Sequence, residues 1–185
     1  MSPPEKKPPH VALAVSGSVA IHRALDLVRE LDRKGATVTV LMTPAACKLI
    51  RPVLFQAMSR RRVFHDLWAE HGDDPYGHLG PAREADILVF APATADLIAR
   101  LAAGLGDDLV TTTALAFMGP RILAPAMNWR MWSHPFTQRN TKTLTSAGHV
   151  LVPPTEGDLA CGEEGPGRLA QVEDIVKAIF DNLPD

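Results

Sequence analysis

Five short apolar runs recur along the chain, with segments of helical period between them. The runs are His10–Val15 (HVALAV), Ala36–Met42 (ATVTVLM), Asp86–Ala91 (DILVFA), Arg121–Ala124 and His149–Val152. They are too short for helices, rich in Val, Ile and Leu, and bounded by Gly, Pro, Asp or Thr, so they read as strands. Between the first two, Ile21, Leu25, Val28 and Leu31 repeat at helical spacing until Gly35 stops the pattern. Strands that are apolar on both faces belong to a parallel sheet covered by helices on each side. The expected fold is therefore α/β: a three-layer Rossmann or flavodoxin-like domain. In such folds ligands bind at the carboxyl ends of the strands.

Local signals refine the boundaries. Thr43-Pro44 reads as a helix N-cap followed by proline at the first helical position. Residues 45–64 read as short helical pieces broken at Pro52, and 69–81 as a loop. Pro92 to Asp96 closes the third strand ahead of an Ala- and Leu-rich helix, and Asp107-Asp108 can cap a further helix through Phe117. Helices are expected over 135–147 and 172–183, and a glycine-rich loop over 157–167. Residues 1–9, polar and proline-rich with no apolar core of a signal peptide, read as a flexible leader, leaving 10–185 as one domain.

Composition excludes several classes. Apolar residues make up 46% of the 185 and charged residues 22%, so the chain is expected to fold rather than remain disordered. A net charge of −2 argues against a nucleic-acid surface, and the one basic cluster, Arg60-Arg61-Arg62, reads as a solvated loop. Cys47 and Cys161 are too few for a disulfide framework or a metal site and suit a reducing, cytoplasmic setting. No apolar run approaches the roughly 20 residues that span a bilayer.

The stretch Ile122–Trp132 carries the most chemistry. An apolar strand ends at Pro125, which keeps the backbone extended and sets Asn128 at the carboxyl rim. An uncharged amide offers two donors and an acceptor, suited to orienting a carboxylate; the ordinary role of an isolated Asn there is to cap the next turn. Gly17-Ser18 follows the first strand at a helix N-terminus, where backbone N–H groups favour a phosphate, although a plain strand-to-helix turn would look the same. The pattern is not Gly-x-Gly-x-x-Gly and no acidic residue ends the second strand, so a mononucleotide fits better than a dinucleotide. Thr43 and Thr94 add hydroxyls at two further strand ends. Cys47 reads as core packing, and Trp129, Met131 and Trp132 as packing or subunit contact.

Taken together, Gly17-Ser18-Val19-Ala20, Gly77-His78-Leu79, Ala91 to Leu97 (APATADL), Pro125-Ala126-Met127-Asn128 and the Ala160-Cys161-Gly162-x-x-Gly165-x-Gly167-Arg168 segment closely resemble the phosphopantothenoylcysteine decarboxylases. These are homo-oligomeric, FMN-containing cysteine decarboxylases of coenzyme A biosynthesis. The resemblance spans residue 11 to about residue 180. The chain departs from it at Ile21-His22-Arg23, where relatives often carry a small residue, Tyr and Lys, and at Asp96, where some carry Asn.

The resemblance implies a mechanism. Loss of CO2 from a plain cysteine would leave a carbanion with nothing to delocalise it, and a flavin supplies the missing electron sink. The thiol is oxidised to a thioaldehyde, CO2 leaves, and the resulting ene-thiol is reduced again, so no nicotinamide is consumed. By the same resemblance Gly17, Ser18, Val19, Thr43, Thr94, Ala95 and Asp96 bind FMN, and Asn128, Met127, Ala160, Gly162 and Arg168 bind 4'-phosphopantothenoylcysteine. His78 is implied as base or electrostatic partner during oxidation, Asn128 as the holder of the departing carboxylate, and Cys161 as proton donor on a glycine-flanked flap. The inert alternatives are a surface or core histidine and a buried thiol in a surface loop. A homotrimer or an assembly of trimers is implied, with a phosphopantothenoylcysteine synthetase as fused domain or partner. A flavoprotein acting on a peptide's C-terminal cysteine and a non-catalytic FMN-binding regulator are the alternative readings.

Overall fold

The computed structural model describes residues 7–69, 79–158 and 164–184. Strands β1 (His10–Val15), β2 (Thr37–Met42), β3 (Ile87–Ala93), β4 (Arg121–Pro125) and β5 (His149–Leu151) form one parallel sheet in the order β2-β1-β3-β4-β5. That is the flavodoxin-like order, and the strand sequence reverses direction between β1 and β3. The expected α/β class and all five strands are found.

Strand alternation decides which side chains enter which layer. Val11, Leu13, Val15, Val38, Val40, Met42, Ile87, Val89, Ile122 and Ala124 point to one face. There they meet Leu27, Val28 and Leu31 of α1 (His22–Arg33), Phe55 of α3 (Pro52–Ser59), and Ile175, Val176 and Ile179 of α9 (Val172–Asp181). Ala12, Ala14, Leu41, Leu88, Phe90 and Leu123 point to the other. They pack on α5 (Ala95–Ala102), α6 (Leu109–Ala116) and Leu144 of α8 (Pro135–Ser146). Truncating a fully buried side chain such as Leu13 or Phe90 would cost about 2–5 kcal/mol.

Three helix starts follow the sequence signals. Thr43 caps α2 (Pro44–Leu49), Thr94 caps α5, and Asp108 forms a capping box with Thr111 on α6. Pro52 breaks the helical region as expected by becoming the first residue of α3. The third strand runs on through Pro92 to Ala93 instead of stopping at Ala91, because Pro92 needs no ladder donor and its carbonyl still accepts from Ser16. The expected glycine-rich loop is also different. Its flanks pair as an antiparallel hairpin, β6 (Thr155–Asp158) with β7 (Glu164–Arg168). Glycines replaced the apolar alternation that would have marked these strands.

Both margins of the main sheet are limited. On the outer side of β2, Phe64 donates to Val40 O and accepts from Met42 N, at 2.9 and 2.8 Å. On the opposite margin β5 is three residues long.

At the amino end, away from the ligand rim, a buried polar group holds the sheet. Arg61 Nε donates to Thr39 Oγ1 at 3.0 Å, and Thr39 Oγ1 lies 2.8 Å from His10 Nε2. Arg61 also reaches Glu84 of α4 (Gly80–Glu84) at 3.0 Å, while Arg60 pairs with Asp32 and the Arg62 guanidinium lies over the Phe64 ring. The arginine cluster lies in a loop with Arg60 and Arg62 exposed, as expected, and is also latched to neighbouring elements. The acceptors of the Arg60 and Arg61 side chains lie 22 to 28 residues away in sequence.

Candidate functional site

The direction change between β1 and β3 places the turn after β1 next to the turn after β3, the point at which open α/β sheets form their ligand crevice. Ser16, 1% exposed, ties the two together: its amide and hydroxyl both donate to Pro92 O, at 3.2 and 2.7 Å, and its oxygen accepts from Thr94 N at 2.9 Å. Ala126 N donates to Ala93 O at 3.0 Å, joining the end of β4 to that of β3. Ser18 Oγ donates to Ala126 O at 3.3 Å and accepts from Ala20 N at 3.3 Å, so the first loop reaches across to the third. Thr43 N, at the end of β2, donates to Val15 O at 3.1 Å.

Gly17 is required by packing. A Cβ there would lie 2.6 Å from Ala45 Cβ, inside any tolerable contact. The turn after β1 therefore lies directly on the start of α2.

The loops present a neutral donor set. Val19 begins a 3-10 turn (Val19–Ile21) that runs into α1, and the residue is 66% exposed. Ala95 and Asp96 open α5, where first-turn amides have no intrahelical acceptor. Thr43 Oγ1 and Thr94 Oγ1 accept from Ala46 N and Leu97 N, both at 3.2 Å, and a hydroxyl that accepts still carries a proton to donate. No lysine or arginine lies within 16–19 or 94–96, so a phosphate here would meet amides, hydroxyls and the dipole of α5. The Asp96 carboxylate is turned to Arg100 at 3.2 Å. Thr43 stands where a dinucleotide site would need an acid for its second ribose. These residues fit a mononucleotide.

Asn128 sits at the outer end of this rim, half-buried. Its Oδ1 accepts from Arg130 N at 2.8 Å and caps α7 (Trp129–Trp132). The capping role is real, and it also fixes the amide: the oxygen is the helix-facing acceptor, so the nitrogen is the donor end. Behind it Met127 N donates to Gly167 O of β7 at 2.9 Å. Beyond it, Met131 and Phe136 are 49% and 62% exposed.

Gly17, Ser18, Val19, Thr43, Thr94, Ala95, Asp96, Met127 and Asn128 thus share the carboxyl rim. Arg168 lies on the hairpin with its side chain exposed and folded against Gly157. His78, Ala160, Cys161 and Gly162 lie outside the described residues. Ser16 was not among the expected site residues. Its signal was a hydroxyl ending an apolar strand, and its partners, 76 and 78 residues on, have no local trace.

A parallel sheet in this order, with hydroxyls and amides at its point of reversal, defines a mononucleotide-binding α/β protein. The chain belongs to the flavoprotein family, which it matches over residues 1–183. It is 39% identical over 175 residues to a probable phosphopantothenoylcysteine decarboxylase of Streptococcus mutans serotype c, covering 94% of this chain and 98% of that one. Over 168 residues, 91% of this chain, it is 44% identical to a coenzyme A biosynthesis bifunctional protein of Bacillus subtilis (strain 168). It spans 41% of that relative's length, and similar shares of the other bifunctional relatives. A mutant PPC decarboxylase complexed with pantothenoylaminoethenethiol superimposes with a TM-score of 0.81 at 31% identity, covering 94% of this chain and 97% of that one. Among the described residues no helix is long and apolar enough to cross a membrane.

Proposed function

We propose that the chain is an FMN-dependent decarboxylase that converts 4'-phosphopantothenoylcysteine to 4'-phosphopantetheine and CO2. The observation that carries this reading is the placing of Asn128, an uncharged amide of fixed orientation, on the same rim as a mononucleotide crevice. Gly17, Ser18, Val19, Thr43, Thr94, Ala95 and Asp96 would hold FMN. The flavin supplies a two-electron acceptor for the cysteine side chain and returns the electrons after CO2 has left.

Asn128 binds the substrate carboxylate through its amide donors. A cation in its place would stabilise the charged ground state, whose charge the reaction removes, and would raise the barrier. Met127, Ala160, Gly162 and Arg168 complete the substrate contacts. His78 assists oxidation as base or electrostatic partner, and Cys161 returns a proton during the final reduction, since a thiol with a pKa of about 8.5 is protonated at neutral pH.

The exposed Met131 in the helix that Asn128 caps, and Phe136 in the next helix, support an assembly of copies, a homotrimer or several trimers, in which His78 of one copy completes the site of Asn128 in the next. A phosphopantothenoylcysteine synthetase is the fused or separate partner, and the cytoplasm the compartment. The test is mass spectrometry of 4'-phosphopantothenoylcysteine incubated with the purified yellow protein. Loss of CO2 is expected; a flavin-loaded protein that leaves the substrate intact, or prefers peptides ending in cysteine, would overturn the assignment.

A further inference from the structure

The hairpin β6–β7 touches the Asn128 segment backbone to backbone. Gly167 O accepts from Met127 N at 2.9 Å. The same residue has φ +159, and a Cβ on it would lie 2.2 Å from Met127 O, 3.2 Å from Trp129 N and 3.3 Å from the carbonyl carbon of Asn128. Those three atoms belong to peptide units that cannot swing aside as a side-chain tip can. They also set the position of the amide of Asn128, because the capping bond to Arg130 N is made in the same turn.

We propose that Gly167 is the positioning residue for Asn128, its carbonyl holding the Met127–Trp129 backbone at one place on the rim and its missing side chain permitting that approach. The proposal rests on the assignment of Asn128 as the carboxylate-binding residue and deepens it. It makes the hairpin part of the site's frame: the turn after β4 is held from the sheet side by Ala93 O and from the hairpin side by Gly167 O.

Gly157 provides the control, because it lies in the same hairpin with φ +149. There a Cβ would meet only the Arg168 side chain, at 3.4 Å or more. Gly157→Ala and Gly167→Ala therefore impose similar backbone strain, and only the second pushes on the Asn128 segment. In the full chain loaded with FMN, Gly167→Ala should lower kcat by about tenfold or more with flavin affinity within about threefold of the parent. It should also shift the side-chain amide resonances of Asn128. Gly157→Ala should leave kcat within about threefold and those resonances in place, any effect through the Arg168 side chain it touches falling on KM. Equal loss in both variants, or parental turnover or unmoved Asn128 resonances in Gly167→Ala, would overturn the proposal.

Should Gly167→Ala not fold, hydrogen exchange in the parent protein decides. The Met127 amide should be protected, and exchange at the rate of an exposed amide would overturn the idea. The resonance and exchange measurements need no substrate. Absent decarboxylation by the parent would therefore refute the proposed reaction and leave the positioning role separately testable.

Discussion

Ser16 and Pro92 lie 76 residues apart in sequence, and the hydroxyl of one donates to the carbonyl of the other at 2.7 Å across the crevice floor. Because the same oxygen accepts from Thr94 N, one buried side chain sets the spacing of two loops. Ser16→Ala would leave that amide without its acceptor, a loss of about 1–3 kcal/mol. Urea unfolding should show it, and FMN titration should show weaker binding, because the Thr94–Asp96 turn loses its tie to β1.

Gly17→Ala would force a methyl to within 2.6 Å of Ala45 Cβ. Overpacking of this kind costs about 1–3 kcal/mol, and here the strain falls on the loop proposed to hold the phosphate, so flavin affinity should drop with stability. Adding Ala45→Gly removes the contacted methyl but leaves the Ala45 carbonyl carbon at 3.2 Å. A double-mutant cycle on FMN affinity and unfolding midpoint should therefore show partial recovery.

Asn128 has two roles that substitution can separate. Asp caps a helix as well as Asn, so Asn128→Asp should hold stability within about 0.5 kcal/mol and keep FMN while abolishing turnover, since a carboxylate would then face the substrate's own. Asn128→Ala loses the cap as well, at about 0.5–2 kcal/mol. Thermal melts, flavin absorbance and CO2 release on the two variants distinguish these outcomes. Loss of the yellow colour in Asn128→Asp would assign the residue a structural role.

His10 should make stability depend on pH. Burial and then the nearby Arg61 lower its pKa from 6.5, against smaller upward pulls from Glu84 and Asp86, while Lys7 adds to the lowering. With the folded pKa below the unfolded one, the unfolded chain binds more protons in between. The stabilising contribution is thus complete above about pH 6.5 and is lost as pH falls toward and through the folded value. His149, lowered by burial and by Arg121, acts in the same direction. Urea titrations at several pH values should show stability falling on acidification, with a shallower slope in His10→Gln, whose amide can either donate to or accept from Thr39.

Features set by neighbouring residues were readable from the sequence. The caps Thr43, Thr94 and Asp108 each bond an amide three residues ahead, and the five strands announced themselves by short runs rich in Val, Ile and Leu. Asn128 was recognisable at the rim, and both roles weighed for it are compatible with its geometry. The hairpin was hidden because Gly165 and Gly167 serve close approach and Gly157 a positive φ, and the three leave no alternation to read. Gly17 was identified, but its need to clear Ala45 depends on how α2 packs. The ties made by Ser16, Ser18 and Arg61 span 22 to 108 residues, and no local pattern records them.

The margins of the main sheet carry a consequence for assembly. With Phe64 already bonded along β2, and β5 offering only three residues, neither side presents a long row of unused amides and carbonyls to a neighbour. In the proposed assembly, contacts between copies would therefore run through side chains on helices and loops, and fibre growth by adding strands to this sheet is disfavoured from the start.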